Sequence, residues 1–192
     1  MTTRSAPVEA TTPAGETRRK AALYLAVVFG VIALDQFTKA LVLGSFPGIT
    51  PGLRPYSPVE VWGDVFRLTF IYNTGAAFGL HLGESSRWVF MTLAAVAVVV
   101  LWFMFRGTSW SDRPRLFAIA SVTGGAIGNV IDRVRSSRGV IDFLDFGVGD
   151  VRWPVFNVAD IAVTVGALLL AFSLWREEQK QEQELDAAEP AE

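Results

Sequence analysis

The side chains of this sequence that could do acid–base or nucleophilic chemistry are mostly carboxylates. The 192-residue chain contains no cysteine and a single histidine, His81. It can therefore form no disulfide, no thiolate metal site, no cysteine nucleophile and no multi-histidine metal site. A Ser–His pair is disfavoured because only one histidine exists to serve it. Acid–base catalysis must then fall on Asp, Glu, Lys or Tyr.

Asp160 stands out because it lies near the start of a long apolar stretch, 155–175. Asn157 precedes it by about one helical turn and would share its helix face. In a span that starts at residue 155, Asp160 would lie about 7–8 Å below the outer end at 1.5 Å per residue. A second carboxylate nearby would leave one acid protonated and the other ionised, which suits activation of water against an amide. The alternative is that Asp160 caps the helix or pairs with Arg133 or Arg152.

Two further acids, Asp142 and Asp145, lie among apolar neighbours in 140–146. If this segment is extended, alternate side chains point to opposite faces, so the two carboxylates need not converge. A competing reading is a phosphotransferase in which Asp142, Asp145 and Asp150 bind magnesium. No Asp-x-x-Asp-Gly motif follows them, and sensitivity to chelators would separate that class from a peptidase.

Charged and amide side chains also interrupt other apolar stretches, where each is costly unless it is paired or faces water. Asp35 and Lys39 are four residues apart on one helix face and could form an ion pair. That pair could hold the packing or contact a substrate. A proton- or ion-coupled transporter would instead use Asp35, Lys39 and Asp160 as a relay, but no inverted repeat is evident.

A glycine-rich segment combines close packing with polar side chains. Gly124 and Gly128 form a small-residue face that another helix can approach closely. Asn129 and Arg133 are four residues apart near the end of this stretch, with Asp132 beside them. We expect structural bonding among these three, with Arg133 pairing to a carboxylate.

Four apolar stretches must position these groups: 21–43, 88–105, 115–133 and 155–175. Each approaches the roughly 20 residues that cross a bilayer core about 30 Å thick. One such helix could be buried in a soluble domain, but four are hard to accommodate there. The sequence predicts an all-α membrane protein with four transmembrane helices.

The segment of about 44–87 is the larger connection between the predicted spans. Its first part contains four prolines, Pro47, Pro51, Pro55 and Pro58, which exclude a helix. Residues 65–72 are rich in β-branched and aromatic residues and predict one or two strands of a small sheet on the membrane surface. A fifth span over 65–82 is the alternative.

The two ends of the chain differ in charge. Residues 1–20 lack apolar periodicity and predict a disordered tail. A secretory signal peptide is the competing interpretation, but it lacks a cleavage motif. The basic cluster Arg18-Arg19-Lys20 before the first span favours a cytoplasmic location for both termini. Residues 176–192 form an acidic, cytoplasmic tail.

Five blocks in this order resemble the lipoprotein signal peptidases, also called signal peptidase II. The resemblance covers roughly 21–175, which we expect to be the membrane peptidase domain. The blocks are Asp35-Gln36-Phe37-Thr38-Lys39, Asn73-Thr74-Gly75-Ala76-Ala77-Phe78-Gly79, Gly124-Gly125-Ala126-Ile127-Gly128-Asn129-Val130-Ile131-Asp132-Arg133, Val140-Ile141-Asp142-Phe143-Leu144-Asp145-Phe146 and Phe156-Asn157-Val158-Ala159-Asp160.

The resemblance implies an aspartic endopeptidase of the bacterial cytoplasmic membrane. This family removes the signal peptide from prolipoproteins by cutting before a diacylglyceryl-modified cysteine. Its fold has four transmembrane helices and a small extracytoplasmic β-cradle. We therefore expect a diacylated prolipoprotein and membrane lipid as partners, no nucleic acid, a monomer, no cofactor and no metal.

The resemblance also implies roles for individual residues. The catalytic pair carries over to Asp142 and Asp160, with the active site near the extracytoplasmic face. Asp132 is the rival of Asp142, which we prefer because Asp132 adjoins Arg133. Residues expected to bind substrate or support the pair are Asp35, Lys39, Asn73, Asn129, Asp132, Arg133 and Asn157. A non-enzymatic assembly adaptor remains as another class, in which variants of the aspartates would still function.

Overall fold

The computed structural model describes residues 14–45, 58–75 and 83–188 of the chain. Within these ranges, long helices alternate with short antiparallel strands. The elements are α1 (Ala14–Ser45), β1 (Val59–Trp62), β2 (Phe66–Asn73), a 3-10 turn (Gly83–Ser85), α2 (Ser86–Gly107), α3 (Arg113–Arg135), β3 (Val140–Val148), β4 (Val151–Arg152) and α4 (Val158–Ala188).

The four helices confirm the prediction of four membrane spans. Each contains an 18-residue window with a mean hydropathy between 1.2 and 2.4, long and apolar enough to cross a bilayer. Large apolar side chains such as Phe29, Val99 and Leu168 are more than half exposed on the outside of the bundle. An apolar exterior of this kind is expected where the surroundings are lipid.

Helix α3 lies at the centre of the bundle, because half of its apolar window is buried against 11–17% for the other three. Its glycines allow this, as the sequence predicted. A Cβ on Gly124 would lie 2.9 Å from Val31 Cβ of α1, and one on Gly128 would lie 2.8 Å from Asp35 Oδ2. Gly125 faces the carbonyl of Ala159 in α4. Larger residues here would push both neighbouring helices away.

The strands form one four-stranded antiparallel sheet in the order β1-β2-β3-β4. It lies at the end of the bundle where α1 and α3 end and α2 and α4 begin. Only β2 falls on residues 65–72, where one or two strands were predicted; β1 precedes them, and β3 and β4 come from the connection between α3 and α4. Residues 66–73 are a strand, so the alternative of a fifth span over 65–82 is wrong.

The sheet exposes large apolar side chains, which suits the predicted position on a membrane surface. Trp62 is 74% exposed, Val148 67% and Val151 83%. Phe156 joins the sheet to α4: its carbonyl accepts from the N–H of Phe143 and of Leu144, and its own N–H donates to Leu144. The segment that leads into α4 is thereby fixed to β3.

The prediction of a disordered tail through residue 20 is wrong for residues 14–20, which form the first two turns of α1. Contacts with the other helices account for the difference. Glu16 accepts a hydrogen bond from the N–H of Trp110, and Lys20 Nζ donates to the carbonyl of Arg106. Residues 1–13 lie outside the described residues.

Candidate active site

Helix α4 begins with a reciprocal cap formed by Asn157 and Asp160. The N–H of Asp160 donates to Asn157 Oδ1 at 2.9 Å, and the N–H of Asn157 donates to Asp160 Oδ2 at 3.1 Å. This capping box satisfies two N–H groups that a helix start leaves free. Asp160 therefore lies in the first turn, nearer the helix end than a span from residue 155 predicted. It does cap the helix, but its other oxygen is directed elsewhere.

The second oxygen of Asp160 accepts a hydrogen bond from Asn129 of α3. The Asn129 Nδ2 to Asp160 Oδ1 distance is 2.8 Å. Asn129 Oδ1 is already occupied, since it accepts from Asn157 Nδ2 at 3.0 Å and from Lys39 Nζ at 3.2 Å. These two donors fix which end of the Asn129 amide faces Asp160.

Asp142 lies on β3 and is 1% exposed. Its Oδ1 accepts from Asn157 Nδ2 at 2.7 Å, and its Oδ2 accepts from Asn73 Nδ2 at 2.9 Å. Asn73 ends β2, which pairs with β3 so that Ile71 lies opposite Asp142. The pairing of two sequence-distant strands thus brings Asn73 to the carboxylate. Asn157 donates to the Asp142 carboxylate and also accepts from the N–H of Asp160, so one residue links both acids.

Burial, and after it the nearby charge of Asp160, raise the pKa of Asp142 to about 7. Hydrogen bonds from Asn73 and Asn157 and the charge of Lys39 act in the opposite direction. An acid with such a pKa exchanges its proton near neutral pH. Because the charge of Asp160 contributes to this shift, the pKa of Asp142 depends on the charge state of Asp160.

Both carboxylates line one cavity of about 960 Å³ beneath the sheet. Of the described residues that line it, they are the only acids, and Arg133 is the only base. The rest of the wall is largely apolar, with Tyr72 and Trp153 from the sheet side and Ile161, Val163 and Val165 from α4. The cavity can therefore hold an apolar molecule against two reactive carboxylates.

Asp145 lies three residues from Asp142 on β3 but belongs to a different cluster. Its carboxylate accepts from Thr69 Oγ1 at 2.6 Å and from Arg152 Nε at 2.6 Å, with Arg67 Nε at 3.4 Å. As the alternation of an extended segment predicted, it does not converge with Asp142. Among the described residues no group of three His, Cys, Asp or Glu side chains is placed to hold a metal ion.

Asp35 and Lys39 form the predicted ion pair, with Lys39 Nζ 2.8 Å from Asp35 Oδ2. Lys39 Nζ is also 2.8 Å from Asp132 Oδ2. All three side chains are buried. We call Asp35, Lys39 and Asp132 the ion triad. The described wall of the cavity includes none of its members.

The expected pairing of Arg133 with a carboxylate is wrong, because the guanidinium instead donates to backbone carbonyls. Its Nη2 is 2.9 Å from the carbonyl of Gly75, and its Nη1 is 3.4 Å from that of Asn129. Asp132, its neighbour in sequence, points to Lys39 because successive helical residues face different directions. Arg133 holds the chain after β2 at the cavity. Residues 76–79 of the second sequence block lie outside the described residues.

Gln36 joins the ion triad, although no sequence pattern predicted a role for it. Its Nε2 donates to Asp35 Oδ2 and to Asp132 Oδ1, both at 3.1 Å, and its Oε1 accepts from Arg135 at 2.6 Å. Its position in the polar segment that interrupts the apolar residues of α1 could have indicated this role. Tyr72 and Trp153 of the cavity wall carried no comparable signal, because aromatic residues are common in strands.

The chain is similar in sequence to known proteins. A model of the family described as Signal peptidase (SPase) II matches residues 27–176. A lipoprotein signal peptidase of Cupriavidus taiwanensis is 42% identical over 151 residues, which cover 77% of this chain and 80% of that protein. One of Burkholderia mallei is 43% identical over 154 residues, covering 78% of this chain and 85% of that protein.

Solved structures show the same fold. A bacterial membrane enzyme determined by the in meso method at 2.3 Å resolution matches with a TM-score of 0.71 and 23% identity, covering 89% of this chain and 95% of that chain. A second, at 1.9 Å resolution, matches with a TM-score of 0.64 and 27% identity, covering 80% of this chain and 92% of that chain.

Proposed function

The chain belongs to the signal peptidase II family, and on that premise we propose that it removes signal peptides from prolipoproteins with Asp142 and Asp160 as its catalytic pair. The family predicted from the five sequence blocks is thereby confirmed. It makes the chain a membrane protease, which excludes the transporter, phosphotransferase and adaptor classes as its main activity. The expected substrate is a prolipoprotein whose cysteine carries a diacylglyceryl group.

One observation carries the assignment of the pair: both carboxylates line one cavity, and each of their four oxygens accepts an amide or backbone N–H. These donors hold the two acids in fixed orientations before substrate arrives. Preorganisation of this kind lowers the barrier without any rearrangement at the moment of reaction. Asp132, the rival acid, is engaged by Lys39 and by the N–H of Ile141.

The pair can hydrolyse an amide as follows. The ionised carboxylate takes a proton from water while the water oxygen attacks the scissile carbonyl carbon. The protonated carboxylate donates a hydrogen bond to the carbonyl oxygen as negative charge develops there. The C–N bond then breaks, and the leaving amine takes a proton from the pair. The products are a carboxylate on the signal peptide and a free amine on the modified cysteine.

The depth of the site suits a substrate that is anchored in lipid. Asp160 lies in the first turn of a span, and Asp142 lies on the adjoining sheet. The apolar wall from Ile161 to Val165 continues from the acids along α4. We propose that this wall contacts membrane lipid or the lipid group of the substrate, and that one monomer suffices for cleavage.

We further propose that the protein lies in the bacterial cytoplasmic membrane with the cavity at the extracytoplasmic face and both termini in the cytoplasm. Residues 21–175 would form the membrane domain, with about 44–87 as an extracytoplasmic insert and the ends as cytoplasmic tails. The cluster Arg18-Arg19-Lys20 supports this orientation, because it lies at the end of α1 away from the cavity.

Because the chain has no cysteine, single introduced thiols can report the orientation. Asp150→Cys on the exposed β3–β4 turn should react with a membrane-impermeant maleimide in intact cells. Ser111→Cys between α2 and α3 should react only after the inner membrane is permeabilised. The reverse pattern would contradict the proposed orientation.

The activity itself is tested by incubating the purified protein with a diacylated prolipoprotein. We expect a product shortened by the length of the signal peptide, with the modified cysteine at its new N-terminus by mass spectrometry. Asp150→Asn, an exposed acid on the same sheet, should cleave like the unmodified protein. Cleavage at another bond, or none, would refute the proposed function.

A further inference from the structure

The buried ammonium of the ion triad is surrounded by three oxygens. Lys39 Nζ donates to Asp35 Oδ2 at 2.8 Å and to Asn129 Oδ1 at 3.2 Å, and it forms an ion pair with Asp132 Oδ2 at 2.8 Å. These oxygens match the three N–H groups of a lysine ammonium in number and shield it from a substrate. Lys39 is 2% exposed and Asp35 is fully buried. Such a cluster is costly to bury and gives little stability over apolar packing, so its connections deserve a functional explanation.

Each carboxylate of the triad holds the backbone immediately before one of the two candidate catalytic residues. Asp35 Oδ1 accepts from the N–H of Ala159 at 3.0 Å, and the next residue is Asp160. Asp132 Oδ2 accepts from the N–H of Ile141 at 3.3 Å, and the next residue is Asp142. The two anchor points lie on different elements, α4 and β3, and are joined through Lys39.

The third bond of Lys39 reaches one catalytic carboxylate through a single side chain. Lys39 Nζ and Asn157 Nδ2 both donate to Asn129 Oδ1, which leaves Asn129 Nδ2 to donate to Asp160 Oδ1. If the ammonium were lost, Asn129 would lose one of the two donors that fix its amide orientation. The buried carboxylates of Asp35 and Asp132 would also repel each other, and both backbone anchors would shift.

We infer that Lys39 is a positioning residue that sets the separation and orientation of Asp142 and Asp160 by holding the carboxylates that anchor the backbone before each of them. This inference rests on the proposed assignment of the catalytic pair. The sequence left open whether Asp35 and Lys39 hold the packing or contact the substrate. Because the ion triad is buried and its charges are paired, it acts through Asp142 and Asp160 and does not contact the substrate.

The test compares Lys39→Met with Tyr24→Phe. Both changes remove a buried bond between α1 and α3, since Tyr24 Oη donates to Thr123 Oγ1 at 3.3 Å. Within the described part of the chain, Tyr24 makes no hydrogen bond to the aspartates. For Lys39→Met we expect kcat to fall about 100-fold with KM nearly unchanged, because displacements near 1 Å have effects of that size. Tyr24→Phe should keep the kcat of the unmodified protein.

The pH profile of kcat distinguishes positioning from a loss of folded protein. If the two carboxylates move apart, they interact less, and the separation between the two limbs of the bell-shaped profile should shrink. Loss of the Lys39 charge alone raises the pKa of Asp142, so the separation of the limbs, and not their absolute position, is the readout. A smaller amount of intact enzyme lowers the whole profile without moving its limbs. Size-exclusion elution in detergent, compared with that of Tyr24→Phe, reports whether the variant is folded.

Asp132→Asn is a milder second variant, because an asparagine oxygen can still accept one hydrogen bond. We expect about a 10-fold fall in kcat with the same narrowing of the profile. If Lys39→Met does not fold, this variant decides. An unchanged kcat in the folded variant, or a fall in kcat without any decrease in the separation of the limbs, would overturn the inference.

Failure of the inference and failure of the proposed function give different results. If the function is wrong, the unmodified protein does not cleave, or Asp142→Asn and Asp160→Asn cleave as it does. If only the positioning role is wrong, those two variants are inactive while Lys39→Met and Asp132→Asn keep the unmodified separation of the two limbs.

Discussion

The two faces of β3 carry buried carboxylates in opposite surroundings. Asp142 and Asp145 are three residues apart and are 1% and 3% exposed. Amides of Asn73 and Asn157 surround the first, whereas Arg67, Arg152 and Thr69 surround the second. Burial raises the pKa of Asp142 to about 7. Burial acts in the same direction on Asp145, but its hydrogen bonds and the two arginines outweigh it and lower the pKa.

The difference shows how one strand can carry both a proposed catalytic acid and a structural one. Neutral amides orient a carboxylate while leaving its proton exchangeable at neutral pH. Guanidinium groups hold a carboxylate ionised and use it to join β2, β3 and β4. Burial alone does not distinguish the two roles, whereas the charge of the donors does.

The largest effect on kcat should come from replacing Asp142, the acid on the amide-lined face of β3, or Asp160, its proposed catalytic partner. Asp142→Asn and Asp160→Asn should each lower kcat by at least about 1,000-fold, because each removes a proton donor or acceptor of the reaction. Elution in detergent should be unchanged. Activity is measured by prolipoprotein cleavage. Substantial activity in Asp142→Asn combined with none in Asp132→Asn would transfer the role to Asp132.

On the arginine-lined face the equivalent change should affect stability and not chemistry. Asp145→Asn removes one of the two carboxylates that Arg67 and Arg152 share, the other being Asp64. It should lower the free energy of unfolding by about 2 kcal/mol, below the range for fully buried pairs because both arginines are partly exposed and keep Asp64. The thermal midpoint in detergent measures this. The folded variant should retain kcat, and a 100-fold loss of kcat would contradict the division between the faces.

A smaller change tests the amide donors themselves. Asn73→Ala removes a hydrogen bond that favours the ionised form of Asp142, so the pKa of Asp142 should rise above about 7. Whichever limb of the pH–rate profile reports Asp142 should then move to higher pH by roughly half a unit to one unit, since a hydrogen bond of about 1 kcal/mol corresponds to such a shift. We expect kcat at neutral pH to fall about 10-fold. A limb that moves to lower pH would contradict this explanation.

The smallest effect is the matched change on the other face. Thr69→Val removes one hydrogen bond to Asp145 and nearly preserves side-chain volume. The free energy of unfolding should fall by about 1 kcal/mol, with kcat and the pH profile unchanged.

The stabilising contribution of Asp145 is present above the unfolded pKa of 3.8 and is lost as the pH falls through the lower folded value. The contribution of Asp142 to stability depends on pH in the opposite direction. Protonation of Asp142, complete well below about pH 7, stabilises the folded state.

Local patterns predicted much of this molecule. The apolar stretches gave the four spans, the glycine spacing gave the close approach of α1 to α3, and the four-residue spacing gave the Asp35–Lys39 pair. The position of Asn157 and Asp160 one turn apart likewise corresponds to the capping box. Each of these depends on residues within one helical turn or one continuous stretch, where geometry follows directly from spacing.

The remaining features depend on which distant segments meet. Asn73 reaches Asp142 only through the pairing of β2 with β3, and Lys39 reaches Asp132 only through the packing of α1 against α3. Spacing within a segment cannot specify such contacts. The error at Arg133 has the same origin, because its neighbour Asp132 is directed to a partner more than ninety residues away in sequence. The selection of Asp142 over Asp145 came from the family resemblance and not from spacing.

The capping box at the start of α4 also has a dynamic consequence. Helix ends are the parts of a bundle that open most readily, and openings there need not involve the rest of the protein. Asp160 is both a cap and a proposed catalytic group, so each transient opening of the first turn of α4 would disable the enzyme for its duration. The bonds from Ala159 to Asp35 and from Phe156 to Leu144 oppose such openings. On heating, catalysis should therefore cease at the temperature at which this single turn frays, while the four membrane helices remain assembled.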